Sequence, residues 1–208
     1  VYKGHPLQIS KACRLIEQAK RPVIYSGGGV ISSNASGELR EFVKKTGIPV
    51  TTTLMGMGAY PETDALSLKM LGMHGTCYAN QAVHDSDLLI AIGARFDDRV
   101  TGKISEFIPE AEVIHIDIDP SSVSKNVQVH VPIVGDCKHV LAEINKAVKA
   151  PDIGEWIQRL KKLKADNPLT YRDSEAKIKP QYVVERVYAL TKGEAVICTE
   201  VGQNQMWA

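Results

Sequence analysis

Apolar, β-rich runs alternate with stretches of helical period along most of the chain. Ile9, Ala12, Cys13, Ile16 and Ala19 recur at the spacing of one buried helix face. Pro22-Val23-Ile24-Tyr25-Ser26 is a short apolar run that ends in Gly27-Gly28-Gly29. Leu39, Phe42 and Val43 return to helical spacing, and Gly47 is placed to stop that helix. Further runs are Ile48–Thr53, Asp87–Gly93 and Glu112–Asp117, with a shorter one at Val129–Val134, where Pro132 suggests a sheet edge. Most are continuous rather than alternating, the pattern of strands buried on both faces in a helix-covered parallel sheet. A last helix with Leu141, Ile144 and Val148 on one stripe closes the unit near Ala150-Pro151. The pattern predicts a doubly wound α/β domain over residues 1–150.

Trp156, Ile157, Leu160 and Leu163 predict one more amphipathic helix, set in a linker over 151–180. That linker is polar after Lys164, and Asn167-Pro168 and Pro180 act as breakers. Val183, Val184, Val187 and Leu190 then suggest a helix stopped by Gly193, and Ala195–Thr199 reads as a buried strand. Residues 181–208 therefore read as the truncated start of a second α/β domain. Because the chain begins without Met and stops soon after that strand, it is expected to be a piece of something longer.

The charge balance narrows the function. Lys+Arg number 25 and Asp+Glu 24, for a net charge of +1, which gives no electrostatic case for nucleic acid or an anionic membrane. Lys161, Lys162 and Lys164 then read as a solvated helix face rather than a basic patch. The longest apolar stretch, Leu88–Ile92, is far below the roughly 20 residues of a membrane span, and the first residues lack a signal-peptide core. Cys13, Cys77, Cys137 and Cys198 are widely spaced with no CxxC pair. They fit neither a disulfide framework nor a zinc site, and a cytoplasmic setting is the simplest expectation.

Ligands of an open parallel sheet bind beyond the carboxyl ends of its strands, so those loops are where chemistry is sought. Gly27-Gly28-Gly29 lets a backbone approach a phosphate or ring closely, but Ser32 breaks the GxGxxG pattern, so a tight turn and a binding loop stay equally open. Thr53-Leu54-Met55-Gly56-Met57-Gly58 adds soft Met side chains suited to a flat ligand or, equally, to core packing. Leu71-Gly72-Met73-His74-Gly75 sets a histidine between glycines, which favours ligand contact over burial.

Gly93-Ala94-Arg95-Phe96-Asp97-Asp98-Arg99-Val100 gathers two arginines and two aspartates at one strand end. They serve either an internal ion-pair network or an anionic ligand, with the ligand favoured. Asp117 is a candidate for ribose or adenine, and Asp119 before Pro120 a candidate helix cap. Gly135-Asp136 ends the fifth run in the same style, whereas His84, His115, His130 and His139 read as structural or exposed. Strand ends that repeatedly carry Gly or acid favour a dinucleotide-sized ligand. No P-loop, GxSxG elbow, HExxH or useful Cys–His pair is present, so a self-contained catalytic centre is not expected.

Taken together, Ser26–Gly29, Thr46–Val50, Thr53–Gly56, Leu71–Gly75 and above all Arg95–Lys103 closely resemble the acetohydroxyacid (acetolactate) synthase family of thiamine-diphosphate enzymes, in its large catalytic subunit. The resemblance implies the central domain of a three-domain subunit, with a DHS-like nucleotide-binding fold, followed by the first helix and strand of the third domain. It implies an extended FAD with a structural role. Gly27, Gly28 and Gly29 would face its backbone, and Thr53, Leu54, Met55, Leu71, Gly72, Met73 and His74 its flavin side. Gly93, Ala94, Arg95, Asp97, Arg99 and Val100 would hold the diphosphate and flavin region, with Asp117, Ile118, Asp136 and Cys137 toward ribose and adenine. Met73, Asp98 and Arg99 would line the substrate channel, Arg99 meeting a 2-oxoacid carboxylate.

The family reaction decarboxylates pyruvate on thiamine diphosphate and adds the two-carbon unit to a second 2-oxoacid, pyruvate or 2-oxobutyrate, on the way to valine and isoleucine. Gly202, Gln203 and Asn204 match the start of the segment touching the thiamine diphosphate, with Asn204 in place of the commoner histidine. The activating glutamate and the Mg2+ motif lie outside this stretch, so the resemblance implies no metal ligand here and an inactive fragment. It also implies a homo-oligomer and a regulatory small subunit. Alternatives are another FAD-bearing carboligase, such as glyoxylate carboligase, and a non-catalytic nucleotide-binding or scaffolding module.

Overall fold

The computed structural model describes residues 2–207. Helix α1 (Pro6–Gln18) begins with proline in its first turn, where a missing N–H costs nothing, and buries Ile9, Ala12, Cys13 and Ile16. Strand β1 (Pro22–Ser26) is buried throughout. The short α2 (Gly28–Ser32) and longer α3 (Ser36–Thr46) follow, and α3 ends where Gly47 takes φ +70°. Next come β2 (Val50–Thr52), β3 (Ser67–Met70) and α4 (Cys77–His84), whose cap Thr76 accepts from the Ala79 N–H. Strand β4 (Leu88–Ile92), the single turn α5 (Asp98–Thr101), β5 (Glu112–Asp117), β6 (Val131–Val134) and α6 (Cys137–Ala147) complete the alternation.

Among the described residues these strands form one parallel sheet in the order β3-β2-β1-β4-β5-β6. The doubly wound architecture expected from the continuous runs is therefore present, with β6 at one edge as Pro132 suggests. Strand order reverses between β1 and β4, so a crevice opens beyond their carboxyl ends. Tyr25, Ala91 and His115 are in register and share one face, while Ile92 and Ile116 face the other way. Phe96, from the segment after β4, covers the first face: its ring lies 5.8 Å from Tyr25 and 5.2 Å from His115. On the opposite face α6 packs against α1 and α3.

Strand β3 leaves no mark in the apolar pattern. It is short, it follows a register shift between Val50 and Thr51, and Lys69 within it has φ +60°. One of its carbonyls, and one just before it, are held by a lysine from another element. Lys164 Nζ donates to Ala65 O at 2.9 Å and to Ser67 O at 2.7 Å.

Lys164 belongs to helix α7 (Gly154–Asp166), which packs beside α4. Trp156 of α7 is buried, and its indole N–H donates to Pro22 O at 3.1 Å. The chain accordingly separates into compact units 1–167 and 168–208, with α7 inside the first rather than in a linker. The second unit holds α8 (Pro180–Thr191) and α9 (Gln203–Trp207). The strand expected at Ala195–Thr199 does not form, and Val196 is 90% exposed. Its apolar run suits a sheet interior, but a strand needs a neighbour to bond, and this unit contains none among the described residues. No helix among the described residues is long and apolar enough to cross a membrane.

Candidate functional site

The loops after β1 and β4 meet backbone to backbone at the reversal of strand order. Gly27 N–H donates to Ile92 O at 2.9 Å and Gly29 N–H to Gly93 O at 3.0 Å. A Cβ on Gly27 would fall 2.2 Å from Gly93 O and 2.6 Å from Ala94 Cα. Gly93 has φ +55°, and a Cβ there would meet Gly29 Cα at 2.6 Å. Two of the three glycines thus have a packing reason that holds with or without a ligand. A Cβ on Gly28 would instead meet Met55 Cβ at 3.1 Å.

The neighbouring loops join this rim. Thr53 spends its hydroxyl on its own turn, accepting from Gly56 N–H at 2.9 Å. Leu54 and Met55 project outward, Met55 being 76% exposed, so neither methionine of this loop is core filling: Met57 is exposed as well. Leu71 is buried, and Gly72 (φ +92°) is clasped by Asn80, which accepts from its N–H and donates to its carbonyl. Met73 N–H donates to Arg99 O at 2.9 Å, which seats the 71–75 loop on the Arg95–Arg99 turn. Met73 and His74 are exposed there. The structure therefore brings Gly27–Gly29, Met55, Gly93–Val100 and Leu71–His74 to one rim.

Arg95, Asp98 and Arg99 are exposed, and among the described residues neither arginine enters an ion pair. Asp97 caps α5, accepting from Arg99 N–H at 3.1 Å. The internal ion-pair network left open by the sequence is absent among the described residues, and both guanidinium groups keep their donors free for an anion.

Below the turn, Tyr25 OH donates to Arg95 O at 3.1 Å and His115 Nε2 lies 3.0 Å from Ala94 O. Burial pushes the Tyr25 phenol up, helped by the Asp97 carboxylate, so the hydroxyl keeps its proton and acts as a donor. His115 is fully buried, which resolves the structural-or-exposed alternative in favour of structure. The sequence offers no sign of its role beyond a polar residue inside an apolar strand.

At the β5 end, Asp117 Oδ1 accepts from Asp119 N–H at 2.8 Å, and Gly135 N–H donates to Asp117 O at 2.9 Å. That contact draws Asp136 and Cys137 toward Asp117. Asp136 caps α6 and pairs with His139 Nδ1 at 2.9 Å. Cys137 is buried, and burial with the nearby Asp117 and Asp136 carboxylates pushes its thiol up to about 12. Ile118 is exposed, while Asp119 accepts from Ser121 N–H as a cap. In the second unit Gly202, Gln203 and Asn204 are exposed at the start of α9, and a Cβ on Gly202 would meet Asn204 Oδ1 at 2.8 Å.

Burial raises the Asp117 carboxyl, but His115 and the Asp119 N–H draw it below the ordinary aspartate range. A depressed carboxyl stabilises the fold above its unfolded pKa of about 4, and that contribution is lost as pH falls through the lower folded value. Asp117→Asn should therefore lower the unfolding temperature at neutral pH, with the gap to wild type closing on acidification below about pH 4. Thermal unfolding across pH checks this; a gap independent of pH would contradict it.

A family described as "Thiamine pyrophosphate enzyme, central domain" matches residues 9–144, the span that builds this sheet and rim. The chain belongs to that family. This central domain and the residues after it are also similar to named enzymes over nearly their whole length. The chain is 48% identical to the acetolactate synthase large subunit of Buchnera aphidicola subsp. Schizaphis graminum, over 99% of this chain and 37% of that protein. It is 51% identical to acetolactate synthase 1, chloroplastic, of Zea mays, over 96% and 32% of the two chains. It is 51% identical to the acetolactate synthase large subunit of Corynebacterium glutamicum, over 98% and 34%. The chain thus spans about a third of the length of the curated relatives it matches.

Proposed function

We propose that this chain is the central domain, and the beginning of the next, of an acetolactate synthase large subunit whose rim holds FAD. Identity of about half to enzymes of that name across nearly the whole chain carries the reading. The rim fits such a nucleotide on its own terms. Two unpaired arginines offer donors to an anion, exposed Leu54, Met55 and Met73 offer apolar surface to a flat ring, and Asp117 at the end of β5 and Asp136 after β6 supply carboxylates. Thiamine diphosphate, bound in the whole enzyme, supplies the electron sink for pyruvate decarboxylation.

The residues of this chain bind and orient. Arg95 donates to the diphosphate, Arg99 meets the carboxylate of a 2-oxoacid, and Met73 and Asp98 border its path. Gly202, Gln203 and Asn204 belong to the thiamine diphosphate contact. Among the described residues no three His, Cys, Asp or Glu gather as a cation site. Pyruvate and 2-oxobutyrate as substrates, valine and isoleucine as end products, a homo-oligomer with a regulatory small subunit and a cytoplasmic setting complete the reading.

Titration of the 208-residue chain with FAD, NAD and ADP, followed by flavin or ligand fluorescence, tests it. FAD should bind weakly but ahead of NAD, because the rim is an open edge here; preference for NAD would overturn the flavin assignment. With pyruvate, thiamine diphosphate and Mg2+ the chain alone should form no acetolactate.

A further inference from the structure

The turn after β4 is held from beneath by side chains. Three consecutive carbonyls are taken by three residues from three places in the fold. His115 of β5 meets Ala94 O at 3.0 Å, Tyr25 of β1 donates to Arg95 O at 3.1 Å, and Asn126 Nδ2 donates to Phe96 O at 2.5 Å. Phe96 locks the arrangement, its buried ring packed against Tyr25, His115 and Phe107.

A peptide unit is planar and trans, so a carbonyl held on one side turns the N–H of the same peptide to the other. The N–H groups so turned are those of Arg95, Phe96 and Asp97. Among the described residues none of the three meets a protein acceptor. The strip ends beside the unpaired guanidinium groups of Arg95 and Arg99 and next to the glycine contact of Gly27 with Gly93. Successive N–H donors of this kind suit a phosphate chain, and donors already fixed in place lose little freedom on binding.

We propose that Tyr25, His115 and Asn126 are positioning residues: by holding the carbonyls of Ala94, Arg95 and Phe96, they present the N–H groups of Arg95, Phe96 and Asp97 to the diphosphate of a bound nucleotide. The proposal rests on the reading of the rim as a nucleotide site, but not on which nucleotide. It concerns residues that do not touch the ligand and act through the loop above them.

The test compares ADP with adenosine, which lacks the diphosphate, by calorimetric titration of the 208-residue chain and its variants. Tyr25→Phe and His115→Phe keep a ring in place and remove the donor. Each should weaken ADP about tenfold and leave adenosine unchanged, the size expected for one lost hydrogen bond transmitted to an anion. His115→Gln, which retains an N–H donor, should stay closer to wild type. Asn126 is exposed, so Asn126→Ala provides the same comparison if a core variant fails to fold.

Equal loss for ADP and adenosine would mark a merely structural role and overturn the proposal. So would unchanged ADP affinity in the variants, or a wild-type chain that does not favour ADP over adenosine. Preference of the wild type for NAD over FAD would instead overturn only the flavin reading, since both ligands share the diphosphate.

Discussion

Gly27→Ala is expected to destabilise the domain by about 3 kcal/mol, a large effect for one methyl group. The added carbon would sit 2.2 Å from Gly93 O and 2.6 Å from Ala94 Cα, and both obstacles are backbone. A flexible side-chain tip could swing away, but these atoms can yield only if the β1 and β4 loops separate. Separation would break the Gly27 to Ile92 and Gly29 to Gly93 hydrogen bonds. Gly37 supplies the control. It lies in helix α3, and a Cβ there would have nothing within 4 Å, so Gly37→Ala should be neutral or stabilise by up to about 1 kcal/mol. Urea unfolding of both variants checks the contrast; similar midpoints would show that the loops are not locked as described.

Trp156→Ala should cost about 3–5 kcal/mol, the range for removing a large buried aromatic side chain. The indole is 3% exposed and donates to Pro22 O at the start of a central strand. Trp156→Phe retains most of the packing and loses the donor, for about 1 kcal/mol. The two substitutions separate burial from hydrogen bonding. Chemical denaturation of the first compact unit is the measurement, and a native-like midpoint for Trp156→Ala would remove α7 from the cooperative core.

Helix α7 also marks a limit of what the sequence can tell. Trp156, Ile157, Leu160 and Leu163 announce a helix plainly, yet periodicity does not say which surface receives its apolar stripe, so the pattern alone sets the helix in a linker. The central strands are legible because a strand covered on both faces is apolar at every position, as in Leu88–Ile92. Strand β3 is not, since it pairs through a register shift with a lysine at positive φ. Ala195–Thr199 shows the converse: strong strand chemistry without a ladder to join.

For the rim, the rule that ligands gather at strand carboxyl ends points to loops that the structure brings into contact after β1 and β4. What the sequence cannot supply is the reason for individual residues. Gly27 and Gly29 make room for another backbone as well as for any ligand, and His115 looks like an isolated polar intrusion until Ala94 O is found beside it.

Strand β3 also has a bearing on how the molecule avoids its own kind. It forms an outer margin of the sheet, where free carbonyls and N–H groups would invite a foreign strand to extend the ladder. Lys164 holds the Ser67 carbonyl, and that of Ala65 just before the strand, with one ammonium group, and the left-handed Lys69 departs from a flat template. Replacing Lys164 would bare the Ala65 and Ser67 carbonyls, so self-assembly into fibrils or amorphous aggregates, rather than loss of folding, is the hazard this margin is built against.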